Sequence, residues 1–487
     1  MDEICLKYIR LPLPRDGSLK YSNKDVSMDG FTDTVMLSRV QFALTAMFHI
    51  LWPVATIGVS LFLVFLEACW IKSGKDEYYR HARFWSRLFF LNFALGVATG
   101  IPLEFQFGTN WSAFSRAGGD FFGHMLGYEA AMAFMLEASF IGIMMFGWKR
   151  VSPQLHLFAT SMVAFGASLS AFWIMVANSW MQTPAGGHFD EGKFIVTSHL
   201  SAIFNSDMAW SVPHMWAAAL EISIFVVGGL SAWYLYKNRH TDFFLNSFKW
   251  AVLAAIIITP LQIWLGDGAG RGAYEHDPAK LAAFEAHWQT NPQGRGAPFI
   301  VIAWPDPEVQ DNRWSIEIPN LLSLLTTHTL TGQVRGLREF PREDQPPVAI
   351  PFYAFRIMVA IGTALFLLML WTLWVWRKGG LDAPRIARQK WLLRTWMAAL
   401  PLSYFAMETG WVTKEMGRQP WVIHGLLRTG DAASRIPAGT VAASLAAFAS
   451  VYTFLAVLFF VFAWRIIARG PDSQSEDAGS DANPGKE

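Results

Sequence analysis

"SRVQFALTAMFHILWPVATIGVSLFLVFLEACW", residues 38–70, carries only Arg39, His49 and Glu67 as basic or acidic side chains. A bilayer core is crossed by about 20 apolar residues wound as a helix, so this run is long enough to span it. Similar runs lie near 88–107, 125–147, 157–180, 212–236, 248–266, 352–376, 391–410 and 441–464. The pattern predicts an all-α, polytopic membrane bundle of about nine transmembrane helices. Composition agrees: 53% of residues are hydrophobic and 16% charged, and mean hydropathy is +0.27. A typical soluble domain has roughly 25% charged residues. The net charge of +1 gives no sign of a nucleic-acid partner.

The connections set the expected orientation. After the first run comes "KSGKDEYYRHARFWSR" (72–87), and every second connection after it is also basic: Lys149-Arg150, Lys237 with Arg239, "RKGGLDAPRIARQK" (377–390), and Arg465 with Arg469. Excess Lys and Arg mark the cytoplasmic side, which predicts a periplasmic N-terminus and a cytoplasmic C-terminus. The expected organisation is an N-terminal extension (1–36), a bundle (37–469) containing a long external loop (267–351), and a polar, disordered tail (470–487). Residues 1–27 lack an apolar core suited to a signal peptide, and Met28 is an alternative start. Cys5 and Cys69 fall too far apart for a disulfide.

The external loop far exceeds the roughly 15 residues at which an unstructured connection becomes unusual. Within it "DPAKLAAFEAHW" (277–288) reads as a short helix, with Asp277 as its cap and Leu281, Phe284 and Trp288 at helical spacing.

Ionisable groups at membrane depth are costly and therefore candidates for function. They include His49, Glu104, Glu129, Glu137, His214 and Arg356, with Glu415 and Arg418 in "EMGRQPW" (415–421). Glu129 and Glu137 would sit roughly 12 Å and 80° apart on a regular helix. Met358 adds a soft thioether, although most membrane methionines are packing material. His and Met are side chains that ligate haem iron. A histidine at a helix end is ordinarily interfacial, so position alone does not assign one.

Five stretches decide between these readings: "LSRVQFALTAMFHILWP" (37–53), "NFALGVATG" with "EFQFGTNW" (92–111), "WIMVANSWMQTP" (173–184), "FRIMVAIG" (355–362) and "GWVTKEMGRQPW" (410–421). In this order they resemble subunit I of the cytochrome bd-type quinol oxidases. The resemblance implies a terminal oxidase of a bacterial respiratory chain in the cytoplasmic (inner) membrane. Such an enzyme oxidises ubiquinol or menaquinol on the periplasmic side and reduces O2 to water. Protons are taken from the cytoplasm and none are pumped.

The resemblance also implies site residues. His214 and Met358 would be axial ligands of a low-spin haem b. His49 and Glu415 would hold the two high-spin haems, one b-type and the other d-type or b-type. Glu129, Glu137, Glu104 and Arg418 would serve the O2 site and its proton supply, and Trp411 and Gln419 the haem surroundings. Lys280 and Glu285 would bind quinol. Arg356 points about 200° away from Met358 on a helix and would meet another group, a haem propionate. Implied partners are subunit II and a small single-helix subunit. The loop lacks a long insertion before the seventh span, as in the short-loop branch that includes cyanide-insensitive oxidases. Two other readings remain: a dihaem b-type subunit of a quinol dehydrogenase, expected to use paired histidines on facing helices, and an ion transporter without haem.

Overall fold

The computed structural model describes residues 34–471. The N-terminal segment with Cys5 and Met28, and all but the first two residues of the tail, lie outside the described residues. Nine long helices run through the described chain: α1 (Thr34–Ser73), α2 (Asp76–Thr109), α3 (Ser112–Phe146), α4 (Pro153–Gln182), α5 (Met208–Tyr236), α6 (Thr241–His276), α7 (Ala349–Arg377), α8 (Lys390–Arg418) and α9 (Ala438–Arg469). Each contains one of the nine apolar runs. The protein is an all-α polytopic membrane bundle, and eight of these helices are long and apolar enough to cross a bilayer. The exception is α8, which carries Arg394, Glu408, Lys414, Glu415 and Arg418 along its length. It is accommodated because it packs against α5 and α7, so its polar face meets protein. A helix satisfies its own backbone, and only its side chains need such shelter.

Packing follows small side chains. Gly58 of α1 sits directly on Ser223 of α5, and an added Cβ would collide with that hydroxymethyl group. Close approach of this kind drives helix association where lipid removes the hydrophobic incentive. Toward the basic end the interior is aromatic, with Phe84, Trp85, Phe225, Phe244, Phe248 and Trp396 fully buried. Their polar atoms are matched: Trp85 Nε1 donates to Ser247 Oγ (3.2 Å) and Trp396 Nε1 to Thr372 Oγ1 (2.8 Å). By contrast, α9 is mostly uncovered along its apolar length, with Phe454, Val457, Phe460 and Trp464 exposed.

Several expectations need correction. Helix α6 continues to His276, so the external connection begins ten residues later than its hydropathy suggests. The short helix in that connection, here the loop helix, spans Pro278–Glu285 and is capped by Asp277, whose Oδ1 accepts from Lys280 N (3.1 Å). It stops at Ala286, which adopts a left-handed conformation (φ 51°), leaving Trp288 beyond its end. The connection also contains an antiparallel hairpin, β3 (Phe299–Asp306) with β4 (Asp311–Ile318). Two smaller hairpins, β1–β2 (Gly187–Asp190, Lys193–Val196) and β5–β6 (Trp421–Ile423, Leu427–Arg428), cover the same end of the bundle. Finally, α3 is not regular: residues Glu129–Phe134 form a π-helical segment. The 80° offset between Glu129 and Glu137 assumed an unbroken α-helix and does not apply. Such π segments are frequent at functional sites.

Candidate functional site

His49 lies inside α1, four residues before Pro53, which has no N–H to donate to the His49 carbonyl. Its Nδ1 meets Thr99 Oγ1 of α2 at 3.0 Å. The Thr99 hydroxyl donates its own hydrogen to Leu95 O (2.8 Å), so it accepts from Nδ1–H. With Nδ1 protonated, Nε2 keeps its lone pair, the arrangement of a metal-ligating histidine with an orienting partner. Beside it, a Cβ added at Gly100 would lie 3.1 Å from His49 Cε1.

The same construction recurs twice. His214, in the first turns of α5, rests on Gly266 of α6, where an added Cβ would lie 3.1 Å from its Cε1. Met358 of α7 rests on Gly410 of α8, with 2.9 Å from the missing Cβ to Sδ. Three of the four side chains that the sequence singles out as ligands thus each press on a glycine of a neighbouring helix.

The fourth, Glu415, is held differently. Its Oε1 accepts from Asn178 Nδ2 (2.9 Å) and Gln182 Nε2 (3.4 Å) of α4, and its Oε2 from the Arg418 guanidinium. Charge-assisted bonds of this kind favour the anion. Gly417 lies within α8, and its missing Cβ leaves room for Lys280, whose Cγ would lie 2.9 Å from it. The helix ends at Arg418, before Pro420. Gln419 turns away from Glu415, its Oε1 accepting from Thr429 Oγ1 (2.8 Å). Trp411 packs with Val54, Ile57, Ala219 and Met407 in the bundle interior.

Three acids singled out in the sequence lie on two helices beside α4: Glu104 on α2, and Glu129 and Glu137 on α3. Glu104 neighbours Glu129, and Glu129 accepts from Ser170 Oγ (2.7 Å). Glu137 is buried, its stem filling the space left by Gly166.

In the external connection neither Lys280 nor Glu285 is solvated. They are 8% and 3% exposed. Lys280 Nζ donates to Gln182 Oε1 (2.6 Å), and Glu285 Oε2 pairs with Arg356 Nη2 (2.6 Å). Arg356 also donates to Ile300 O (2.6 Å) and lies over the Phe299 ring, so its partner is this carboxylate. Burial pulls Lys280 down to about 8, with Asp277, Asp207 and Glu415 opposing the drop. Burial raises the Glu285 carboxyl, against the pull of Arg356.

Three groups escaped the sequence reading. Asn178 and Gln182 stand four apart in "WIMVANSWMQTP" and share one helix face, a legible signal. Lys414 pairs with Asp207 (2.8 Å) and Ser211 (2.5 Å) across α8 and α5. Glu408 is seven residues, two turns, before Glu415, and neither of its buried carboxylate oxygens finds a hydrogen-bond partner among the described residues.

These residues fit a haem. A histidine lone pair, a thioether and a carboxylate are available as iron ligands. Arg356 Nη1 and Arg418 Nε and Nη1 are buried donors without hydrogen-bond partners among the described residues, suited to carboxylate groups such as propionates. Among the described residues no three His, Cys, Asp or Glu side chains converge on a metal-binding point.

The family model for cytochrome bd terminal oxidase subunit I matches residues 37–471. The chain is 35% identical to cytochrome bd-II ubiquinol oxidase subunit 1 of Escherichia coli (strain K12), over 91% of this chain and 98% of the relative. It is 34% identical to cytochrome bd ubiquinol oxidase subunit 1 of Bacillus subtilis (strain 168), over 90% and 94%. The solved bd oxidase from Geobacillus thermodenitrificans superposes with a TM-score of 0.83 at 30% identity, covering 91% of this chain and 100% of that one.

Proposed function

The chain belongs to the cytochrome bd terminal oxidase subunit I family, and from that premise we propose how its residues divide the work of a haem-containing quinol oxidase of the bacterial inner membrane. His214 and Met358 hold a low-spin haem b, and His49 and Glu415 hold two high-spin haems, one b-type and one d-type or b-type. Bound there, the haems supply electron transfer and the reduction of O2 to water.

The observation that carries this reading is Gln182. Its amide accepts from Lys280 of the loop helix and donates to Glu415 of α8. The loop thought to bind quinol is therefore fastened to a proposed haem ligand by one side chain. At the quinol end, Lys280 steadies the anion that develops as ubiquinol or menaquinol loses its protons. Glu285, whose carboxyl burial raises against the pull of Arg356, is the base placed to accept one. Arg356 holds Glu285 in place, with Nη1 left for a propionate. At the O2 end, Arg418 offsets the Glu415 charge, and Glu104, with the Glu129 carboxylate bound by Ser170 and Glu137 deeper in α3, carries protons from the cytoplasmic side. Trp411 walls the pocket. Quinol protons leave on the periplasmic side and substrate protons enter from the other, which separates charge without pumping. The uncovered face of α9 is suited to lipid or to a subunit II, and a small single-helix subunit is a further partner under this reading.

Optical spectra and O2 consumption of variants test the assignment. His49→Ala and Glu415→Ala should each abolish oxidase activity, and Glu129→Gln should impair activity more than haem content. A Glu415→Ala enzyme with full haem and full turnover would make the Glu415 cluster structural.

A further inference from the structure

Lys280 and Glu285 are buried, so the proton that quinol releases beside them needs a way out. The cap of the loop helix offers one. Asp277 Oδ1 is occupied by the Lys280 N–H, while Oδ2 lies 3.4 Å from His424 Nδ1, an ion-pair contact rather than a formed hydrogen bond, since this buried Nδ1 has no hydrogen-bond partner among the described residues. Asp277 is 10% exposed at its side chain and His424 32%, so exposure rises along the pair. His424 opens into a cleft of about 220 Å³, also lined by Asp277, Phe340, Pro341, Asp344 and Trp421. The cleft lies where the loop helix, the end of the external connection and the β5–β6 hairpin meet.

We propose that Asp277 and His424 form the outward proton-release route of the quinol site. The idea rests on the quinol reading of Lys280 and Glu285. Each quinol oxidised to quinone gives up two electrons and two O–H protons; the electrons pass through the oxidase to O2. A proton passes by way of the Asp277 carboxylate to His424 Nδ1, and the imidazole releases one from Nε2 to water in the cleft. Both side chains end as they began. Burial raises the Asp277 carboxyl above its ordinary value, with His424, Lys280 and Arg418 opposing the rise, so it can hold a proton briefly. Across the cleft Asp344 is bound by Arg428, which also lies over Trp421, so that carboxylate does not compete for His424.

Two substitutions separate a relay from a structural role. Asp277→Asn keeps the helix cap, since Asn caps as well as Asp, but cannot ionise. His424→Gln keeps a polar side chain but cannot pass a proton. In the oxidase as isolated from the membrane, each should lower quinol-driven kcat about tenfold or more and raise its solvent deuterium isotope effect. KM and the haem spectrum should stay unchanged, and an artificial donor that bypasses quinol should still drive O2 consumption. Imidazole added to the medium should restore part of the His424→Gln rate. If both variants keep the parent kcat and pH profile, the route is overturned, whatever Lys280 does. The quinol reading fails separately, if Lys280→Ala and Glu285→Ala both leave KM and kcat for quinol unaltered.

Discussion

Gly410 has no side chain, and Met358 Sδ lies 2.9 Å from where one would begin. A thioether pressed that closely cannot keep its position if a methyl group is added. Gly410→Ala should therefore weaken the same low-spin haem b absorption that His214→Ala and Met358→Leu remove, while part of the high-spin absorption survives. Reduced-minus-oxidised spectra of the three variants would check this. An intact low-spin band in His214→Ala would exclude it as a ligand. Of these residues, His214 and Met358, the two proposed ligands, stand out in the sequence at membrane depth, through the motifs that surround them. Gly410 was not, because nothing in "METGW" (407–411) says which helix its bare Cα will face. Glu408 was invisible for the related reason that an unpartnered carboxylate is defined by what fails to surround it.

The loop helix is a two-turn element held by two buried charges, and its predictions belong to that scale. The side chains of Arg356 and Glu285 are only 12% and 4% exposed. Removing one partner of a buried pair strands the other, at a cost of about 3–5 kcal/mol. Arg356→Gln should accordingly loosen the connection, seen as faster protease nicking between residues 286 and 348, and adding Glu285→Gln should recover part of the loss. Lys280 supplies the pH dependence. Its ammonium is held at about 8 against an ordinary 10.5, so the cation is present below about 8 and lost above it. If that charge steadies the quinol anion, kcat/KM for quinol falls as pH rises through about 8. Lys280→Arg keeps its charge throughout and should remove that limb. Asp277 as a cap and a helix from Pro278 were legible from local pattern. The hairpin β3–β4 was not, since "FIVIAWPD" (299–306) sits among turn residues in a stretch read only as a connection.

For the whole molecule the open quantity is orientation. The basic connections predict that the 267–351 segment is outside and the turn between α7 and α8 inside. Glu317 and Asp382 are exposed on these two segments. In a background with Cys5 and Cys69 replaced by Ser, Glu317→Cys should react with an impermeant thiol reagent in intact right-side-out spheroplasts. Asp382→Cys should react only after lysis, and the reverse pattern would invert the topology.

What the chain determines by itself is where it crosses the membrane. In lipid each span must satisfy its own backbone, so hydropathy and length, both local, suffice. The nine runs accordingly reappear as nine helices among the described residues. Even α8, the most polar of them, shows its apolar segment in sequence. The tertiary structure alone decided which polar groups meet. Lys280 reaches Gln182 across 98 positions, Glu285 reaches Arg356 across 71, and Asn178 reaches Glu415 across 237. These contacts depend on which helix faces pack together and how closely their glycines let them approach. No window of sequence contains that information, because a buried charge is settled only by the partner that the fold brings to it.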